Sequence, residues 1–321
     1  MNKVKKPLVC IVIVNWNGRE NITNCLKSLK KTNYENYKII VLDNGSTDDS
    51  IKRIEKFKEV FLLKDNKNNG FASGSNILYS YVLNTFNPDY ICNMNNDIIT
   101  VQPNWLSLMV NSLEKRKNYG ICANKLISPN DKLQLLYLDR DSKEYEEKKK
   151  EQYDFVKEVS AVGGANVLIK REVFNKIGGT DENYFYGPDD LDYCYRAREK
   201  GFKIIYNSLS KSAHIGSFSY LSISKDFIYS HQSMGYMLFN FRWGSKKEKL
   251  KMIINQFVRI FLTRKDPYSK ITSRNICFHK SFPRRIILFL NALSLALYNY
   301  KKIDNSNFKY VKGKKTEHWL W

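Results

Sequence analysis

Short apolar runs alternate with helical patterns over the first hundred residues, and this alternation limits the possible folds more than any other feature of the sequence. The predicted strands are 8–14, 38–42, 60–63 and 90–94. The predicted helices between them are 21–31, 49–57 and 73–84. Strands that are apolar throughout have no solvent-facing side, which is typical of a Rossmann-like, mostly parallel sheet with helices on both faces. Ligands bind beyond the carboxyl ends of such strands, so the residues that follow each strand are the first candidates for a site.

The net charge of +21 is distributed unevenly along the 321 residues. Residues 1–224 contain 33 Lys and Arg against 27 Asp and Glu, whereas residues 225–321 contain 20 against 5. Together with the chain length, this predicts an α/β domain at 1–224 and a basic helical region at 225–321. A surface this basic indicates an anionic partner, which is nucleic acid, anionic lipid or a phosphorylated substrate.

The cysteines and the N-terminus indicate the compartment. The six cysteines form no C-x-x-C pair and have no regular spacing, so we expect reduced, mostly buried thiols without a zinc site or disulfide framework. They are Cys10, Cys25, Cys92, Cys122, Cys194 and Cys277. The apolar run 8–14 is too short for a signal peptide, and no segment reaches the roughly 20 apolar residues that span a bilayer. We therefore expect a cytoplasmic protein.

The last third of the chain contains two apolar helical patterns. In the first, apolar residues recur at helical spacing between flanking Lys and Arg: Leu250, Ile253, Ile254, Phe257, Val258 and Phe261. The second, 286–298, would rise about 20 Å, so it fits a membrane interface but does not cross a bilayer. These helices contact either an anionic membrane surface, the rest of the chain or a second subunit. The Lys- and Glu-rich stretch 139–154 is expected to be an exposed insertion.

Polar segments follow three of the predicted strands, at 15–18, 43–48 and 95–97. A carboxylate at a strand end accepts hydrogen bonds from ribose or base, and backbone amides near a helix start hold phosphate. For Asp43, a simple Asp-Asn-Gly turn is the alternative. The glycine-rich segment 68–76 lets the backbone approach a ligand closely. Neither G-x-G-x-x-G nor G-x-x-x-x-G-K-[ST] is present, which argues against a dehydrogenase or a P-loop enzyme.

A second group of polar residues follows between 163 and 214. Asp189, Asp190 and Asp192 lie within four positions, and their mutual repulsion raises a pKa toward the range that a general base needs. Because these residues precede a predicted helix, helix capping is the alternative. His214 is either a buried structural histidine or the partner of Asp97.

Taken together, these segments resemble the family 2 glycosyltransferases, which have the glycosyltransferase A fold, and within that family the rhamnosyltransferase-like and galactofuranosyltransferase-like members. The resemblance covers about residues 7–218. It rests on six segments in the family's order: 11–18, 41–48, 69–76, 95–97, 178–182 and 189–192.

The resemblance implies a role for each matching residue. The nucleotide-binding residues would be Asn15, Asp43, Gly70, Asn76, Asn95 and Asn96. Asp97 and His214 would hold Mg²⁺ or Mn²⁺, weakly, because Asn95 replaces the first aspartate of the family's Asp-x-Asp motif. Asp190 would be the catalytic base and Asp189 would orient it. Asp181 or Glu182 would hold acceptor hydroxyls.

The implied activity is the inverting, metal-dependent transfer of a sugar from a UDP- or dTDP-sugar, of rhamnose or galactofuranose type, to a glycan or a polyprenyl-linked acceptor. Residues 1–224 would then be the catalytic domain of a peripheral enzyme that makes cell-surface polysaccharide at the inner face of the cell membrane. A homo-oligomer is compatible with this arrangement. One alternative is an inactive scaffold, since the metal motif is degenerate. Another is a basic nucleic-acid-binding protein, but the sequence contains no recognised nucleic-acid platform.

Overall fold

The computed structural model describes residues 6–128, 133–134, 137–138, 155–185, 187–216, 225–261 and 282–310. The predicted insertion at 139–154 and Cys277 lie outside these ranges. The strands are β1 (Val9–Asn15), β2 (Tyr37–Asn44), β3 (Val60–Asp65), β4 (Tyr90–Asn95), β5 (Ile98–Thr100), β6 (Tyr119–Ile127), β7 (Leu133–Gln134), β8 (Tyr137–Leu138), β9 (Val156–Val159), β10 (Ala161–Val162), β11 (Asn166–Lys170) and β12 (Lys203–His214). The helices are α1 (Arg19–Leu29), α2 (Ser50–Ile54), α3 (Phe71–Thr85), α4 (Trp105–Glu114), α5 (Arg171–Ile177), α6 (Asp189–Glu199), α7 (Lys225–Trp243), α8 (Lys246–Phe261) and α9 (Phe282–Asn299).

A central mixed sheet organises the described part of the chain. Its strands run in the order β3-β2-β1-β4-β11-β6-β12-β5, with β7 beside β6 and β9 beside β12. The four strands predicted from the sequence are present within a few residues of the predicted bounds, and they pair in parallel. β11 is antiparallel to both β4 and β6. The carboxyl ends of β1, β2 and β4 therefore meet the amino end of β11 at one edge of the sheet.

Both faces of the sheet are covered by helices, as the sequence predicts. Along β1, Val9, Ile11 and Ile13 pack in a cluster with residues of α1 and α4. Cys10 and Val12, which point the other way, pack in a second cluster with residues of α3 and α6. Successive strand side chains alternate between faces, so an uninterrupted apolar strand supplies two cores at once.

The core that contains Val12 extends beyond residue 224. Met237 and Leu238 of α7 and Ala292 and Ala296 of α9 are buried in it. α7 packs against α6, and α9 packs along α7. The inner side of the basic helical region therefore packs on the α/β domain. Contact with the rest of the chain was one of the three alternatives given for these helices.

The described cysteines are free and buried, as expected from their spacing. Burial raises the pKa of the Cys10 thiol to about 12. In the described ranges, no helix combines the length and the apolar character that crossing a bilayer requires.

Candidate functional site

The carboxyl edge of the sheet is built on a buried polar network between neighbouring strands. Asn15 and Asp43 lie opposite each other in the pairing of β1 with β2. Asn15 Nδ2 donates to Asp43 Oδ2 over 2.9 Å, and Asn96 Nδ2 donates to Asn15 Oδ1 over 2.9 Å. The second Asp43 oxygen accepts from the Ser46 backbone N–H at 2.9 Å. Asn15 and Asp43 are fully buried, whereas Asn96 and Ser46 are partly exposed. The buried pair thus supports the groups that face solvent.

Gly18 and Ser46 complete this edge, and the residue roles assigned from the sequence did not include them. A Cβ on Gly18 would lie 2.1 Å from Asn15 Oδ1, so only glycine fits against the network. The Ser46 hydroxyl accepts from the Asn17 backbone N–H at 2.8 Å. Both residues lie within the segments 11–18 and 41–48, but their importance depends on contacts across the two strands.

Asp97 and His214 lie next to each other, just after the end of β4. Asp97 is buried just after β4, and its Oδ1 lies 3.3 Å from His214 Nε2. The pairing of β12 with β5 brings the two residues together, because His214 lies opposite Ile98. The Ile215 backbone N–H also donates to the Asp97 carbonyl oxygen at 3.1 Å. The predicted metal pair is therefore adjacent in space, although 117 positions separate its members in the sequence.

The side chains of Asp97 and His214 suit a divalent cation whose remaining ligands come from a substrate and from water. The described residues contain no group of three or more His, Cys, Asp or Glu side chains arranged for a metal ion. One carboxylate and one imidazole are compatible with Mn²⁺ or Mg²⁺ when phosphate oxygens and water supply the remaining ligands. The residues present therefore fit a weakly held ion that binds together with a diphosphate.

Asp190 lies in the first turn of α6, where backbone amides hold both of its carboxylate oxygens. The Gly164 N–H donates to Oδ2 and the Leu191 N–H donates to Oδ1, each over 2.8 Å. Next to Gly164, the Ala165 carbonyl oxygen accepts from the Asn95 backbone N–H at 2.8 Å. A short path of direct contacts thus joins Asp190 to the segment that contains Asp97.

The carboxyl groups of Asp189 and Asp190 both have raised pKa values. Burial is the main cause for each, and for Asp189 the neighbouring charge of Asp190 raises the pKa further. The backbone hydrogen bonds to Asp190 act in the opposite direction. Burial thus raises the pKa of both carboxyl groups, and the like charge adds to the shift of Asp189 alone.

Asp192, the third carboxylate of the group, is structural. It is fully buried and accepts from Arg196 Nε at 2.9 Å and from Trp243 Nε1 at 2.8 Å. Sequence spacing alone did not separate it from Asp189 and Asp190, because its partner Trp243 lies far along the chain.

Asn76 was predicted to line the nucleotide pocket, and in the structure its side chain bonds to the loop at 180–182. The residue is fully buried, and its Oδ1 accepts from the Thr180 N–H at 2.8 Å. Its Nδ2 donates to the Thr180 carbonyl oxygen at 2.9 Å and to Glu182 Oε1 at 2.8 Å. Asn76 therefore fixes the 180–182 loop to α3.

Asp181 and Glu182 were predicted to hold acceptor hydroxyls, but their oxygens hold other parts of the chain. Asp181 is fully buried, pairs with Arg242 and accepts from the Asp304 N–H at 2.9 Å. Glu182 Oε1 accepts from the Asn307 N–H at 2.9 Å. These carboxylates anchor residues 300–310, which we call the C-terminal segment, to the α6 side of the sheet.

Gly70 lies at the start of α3 with a φ of +86°, which favours glycine. A Cβ there would lie 2.9 Å from the Phe185 ring, so the loop before α6 packs directly on the Gly70 backbone. A nucleotide contact at Gly70 remains a prediction.

Of two cavities in the structure, the smaller borders the candidate base and the larger does not. A cavity of about 30 Å³ borders Asn93, Gly164, Asp189 and Asp190, which is room for about one water molecule. A larger one, about 400 Å³, lies elsewhere, between α3 and the C-terminal segment, and its lining includes Lys67, Tyr81 and Lys309. The smaller cavity therefore adjoins Asp189 and Asp190, and the larger one does not.

The arrangement of strands and helices is that of the glycosyltransferase A fold. The chain is similar to the mannosyltransferase PcManGT from Pyrobaculum calidifontis, solved with GDP-Man and Mn²⁺, with a TM-score of 0.52, 14% identity and coverage of 92% of this chain and 76% of that one. It is also similar to GalNAc-T7, solved with UDP, GalNAc and Mn²⁺, with a TM-score of 0.63, 15% identity and coverage of 91% and 58%.

Residues 10–178, just over half of the chain, match the family described as Glycosyl transferase family 2, and the chain belongs to this family. It is 22% identical over 208 residues to the low-salt glycan biosynthesis hexosyltransferase Agl10 of Haloferax volcanii, covering 60% of this chain and 62% of that protein. It is 31% identical over 113 residues to an uncharacterised glycosyltransferase of Haemophilus influenzae, covering 34% and 33%. An uncharacterised protein, y4gI of Sinorhizobium fredii, is 26% identical over 231 residues, covering 65% and 24%. The chain thus spans from about a quarter to three fifths of the length of these relatives.

Proposed function

We propose that this protein transfers a sugar, with inversion, from a nucleoside diphosphate sugar to a hydroxyl of a glycan or polyprenyl-linked glycan. Membership of glycosyltransferase family 2 supports the reaction class. The observation that carries the proposal is the contact path from Asp190 through Gly164, Ala165 and Asn95 to Asp97 and His214. The path links a candidate base to the segment that contains one member of a candidate metal pair.

In this proposal Asp190 is the catalytic base. The acceptor oxygen attacks the anomeric carbon, its proton passes to the Asp190 carboxylate, and the bonding electron pair leaves with the nucleoside diphosphate. The two backbone amides that bind Asp190 fix the direction of its free lone pairs. A single displacement of this kind inverts the anomeric centre.

The residues on the opposite side of the site would hold the leaving group. A divalent cation held by Asp97 and His214 would stabilise the negative charge that develops on the diphosphate. Asn95, Asn96 and Ser46 would donate to the nucleotide, and the buried pair of Asn15 and Asp43 supports Asn96 and Ser46. The structures solved with GDP-Man or UDP and with Mn²⁺ are consistent with such a donor.

The donor nucleotide would be UDP or dTDP, and the sugar of rhamnose or galactofuranose type, because the ordered segments resemble those subgroups. The proposed setting is cell-surface polysaccharide synthesis at the inner face of the membrane. A thermal-shift screen of UDP, dTDP and GDP, each with and without Mn²⁺, tests the donor class, because a ligand that binds only the folded state must raise its stability.

Replacement of the proposed base tests the reaction. We expect Asp190→Asn to lower the rate of sugar transfer by at least about two orders of magnitude, because the amide accepts no proton from the acceptor. Product formation in Mn²⁺, and its loss after chelation, are measured by chromatography of the released nucleoside diphosphate.

Glu114→Gln, an exposed carboxylate change on α4, is the matched control and should retain the wild-type rate. Thermal unfolding checks that both variants are folded. An Asn variant that transfers at the wild-type rate would remove Asp190 from the mechanism. A wild-type protein that no nucleotide stabilises and that transfers no sugar would support the inactive scaffold.

A further inference from the structure

Helices α8 and α9 present apolar side chains to solvent. Leu250, Ile254 and Phe257 of α8 are 60%, 52% and 50% exposed, and Leu290 and Leu297 of α9 are 54% and 51% exposed. These five residues define what we call the α8–α9 face. Contiguous exposed apolar side chains on a folded protein mark a binding surface.

The two helices that form the α8–α9 face pack against each other. Helix α8 contacts α9, and the rings of Phe257 and Phe289 lie 5.5 Å apart. Met252 and Gln256, on the opposite side of α8, are buried against the protein. The apolar side of α8 therefore points outward because its other side is already packed.

Positive charges border the apolar side of α8. With about 100° between successive residues of a helix, Lys249 and Lys251 lie on either side of Leu250. Glu248, the acidic residue of this helix, lies roughly 160° from Leu250 and accepts from the Ser245 N–H. Long cationic side chains at the border of an apolar face extend toward anionic headgroups while their stems remain in apolar contact.

We propose that the α8–α9 face binds the surface of a bilayer that contains anionic lipid, with both helices lying in the plane of the interface. Charge complementarity favours this partner over a second copy of the chain, because a second copy would bring the lysines of two α8 helices together. Since neither helix qualifies to cross a bilayer, binding is interfacial.

The bound face is connected to the proposed site by a short stretch of chain. α9 continues into the C-terminal segment, and at this junction Arg242 donates to the carbonyl oxygens of Asn299, the last residue of α9, and of Lys302. Two residues further on, the Asp304 N–H donates to Asp181 at 2.9 Å. A bilayer at this face therefore lies at a fixed position relative to α6. The membrane surface is argued from the helices alone, and only its use for a lipid-linked acceptor rests on the proposed function.

Vesicle co-sedimentation of the full chain tests the surface. Vesicles of phosphatidylglycerol and phosphatidylcholine in equal parts are compared with vesicles of phosphatidylcholine alone. We expect the combined variant Leu250→Ser, Ile254→Ser and Phe257→Ser to bind the anionic vesicles at least about tenfold more weakly than the wild type. The pair Lys249→Gln and Lys251→Gln should also weaken this binding about tenfold, because each removes one cation near the anionic surface.

The controls are Val101→Ser, an apolar residue that is 49% exposed just after β5, and Lys52→Gln on α2. Both should bind as the wild type does. Equal binding by the apolar triple variant, or wild-type binding that ignores lipid charge, overturns the proposal. A dimer in light scattering that the triple variant disperses, with vesicle binding unchanged, assigns the face to a second copy instead.

Donor turnover with a water-soluble acceptor is measured on the same variants. The α8 changes should leave it unchanged, since these residues lie outside the proposed site. A wild-type protein without transfer activity that still binds anionic vesicles would remove the proposed function and leave the membrane surface intact.

Discussion

Asp189 and Asp190 are neighbours in the chain with different surroundings. Asp190 is held by two backbone amides, whereas the buried Asp189 carboxyl lies beside the charge of Asp190. Burial and this charge raise the pKa of Asp189 above its ordinary value. In the folded protein the carboxyl therefore keeps its proton to a higher pH than in the unfolded chain, so the stability it contributes is complete below about pH 4 and is lost as pH rises through the folded pKa.

Asp189→Asn removes the titratable carboxyl group, and with it the loss of stability as pH rises. We expect the variant to gain on the order of 1–3 kcal/mol in unfolding free energy relative to the wild type between pH 5 and pH 8. Urea unfolding at the two pH values measures it. Asn24→Ser, an exposed change on α1 that replaces no titratable group, should show a difference from the wild type that does not change with pH. A pH-independent difference for Asp189→Asn would contradict the raised pKa.

At the scale of elements, helix α7 sets the position of the loop that leads into α6. Its Gly235 packs on that loop so closely that a Cβ would lie 2.3 Å from the Gly187 carbonyl oxygen and 3.3 Å from Pro188 Cδ. A glycine inside a helix is ordinarily less favourable than alanine by about 1 kcal/mol. The close approach therefore explains why glycine is present here.

Gly235→Ala should reverse the usual gain from alanine in a helix. We expect a loss of roughly 1–3 kcal/mol in unfolding free energy, because the added methyl pushes α7 away from the loop. Sugar transfer should fall as well, since Asp189 and Asp190 follow this loop directly. Urea unfolding and transfer assays check both effects, with Gln232→Ala, partly exposed on the same helix, as the control. A more stable Gly235→Ala protein would show that the contact is not restrictive.

At the scale of the whole molecule, Arg242 joins three parts of the chain. It forms ion pairs with Asp181 and Asp192, and its Nε donates to the Tyr300 carbonyl oxygen at 3.0 Å. The guanidinium and both carboxylates are almost entirely buried. The basic helices and the α/β domain thus share one buried ionic cluster as well as one apolar core.

Removing this cation should destabilise the whole protein. We expect Arg242→Met to lower the unfolding free energy by about 3–5 kcal/mol, because it leaves Asp181 without its cation in a buried position. Arg198→Met, at an exposed position of α6, should cost less than about 0.5 kcal/mol. Urea unfolding measures both. Independent unfolding of residues 225–310 in the wild type would contradict a shared core.

The sequence by itself determined the parallel half of the sheet, because uninterrupted apolar strands flanked by amphipathic helices can be buried in few other ways. It also determined which polar segments follow the strands, so Asp43, Asp97 and Asp190 could be named as candidates. The antiparallel β11, which brings Gly164 beside Asp190, was not evident, since pairing direction depends on contacts distant in sequence.

Only the tertiary structure decided which of these polar groups are already occupied. Asn76, Asp181 and Glu182 are polar residues in the expected segments, but Thr180, Arg242 and Asn307 take their hydrogen bonds. Those partners lie up to 125 positions away. A residue's type fixes how many hydrogen bonds it can form, whereas the packing of distant segments fixes which partners fill them, and hence which groups remain for a ligand.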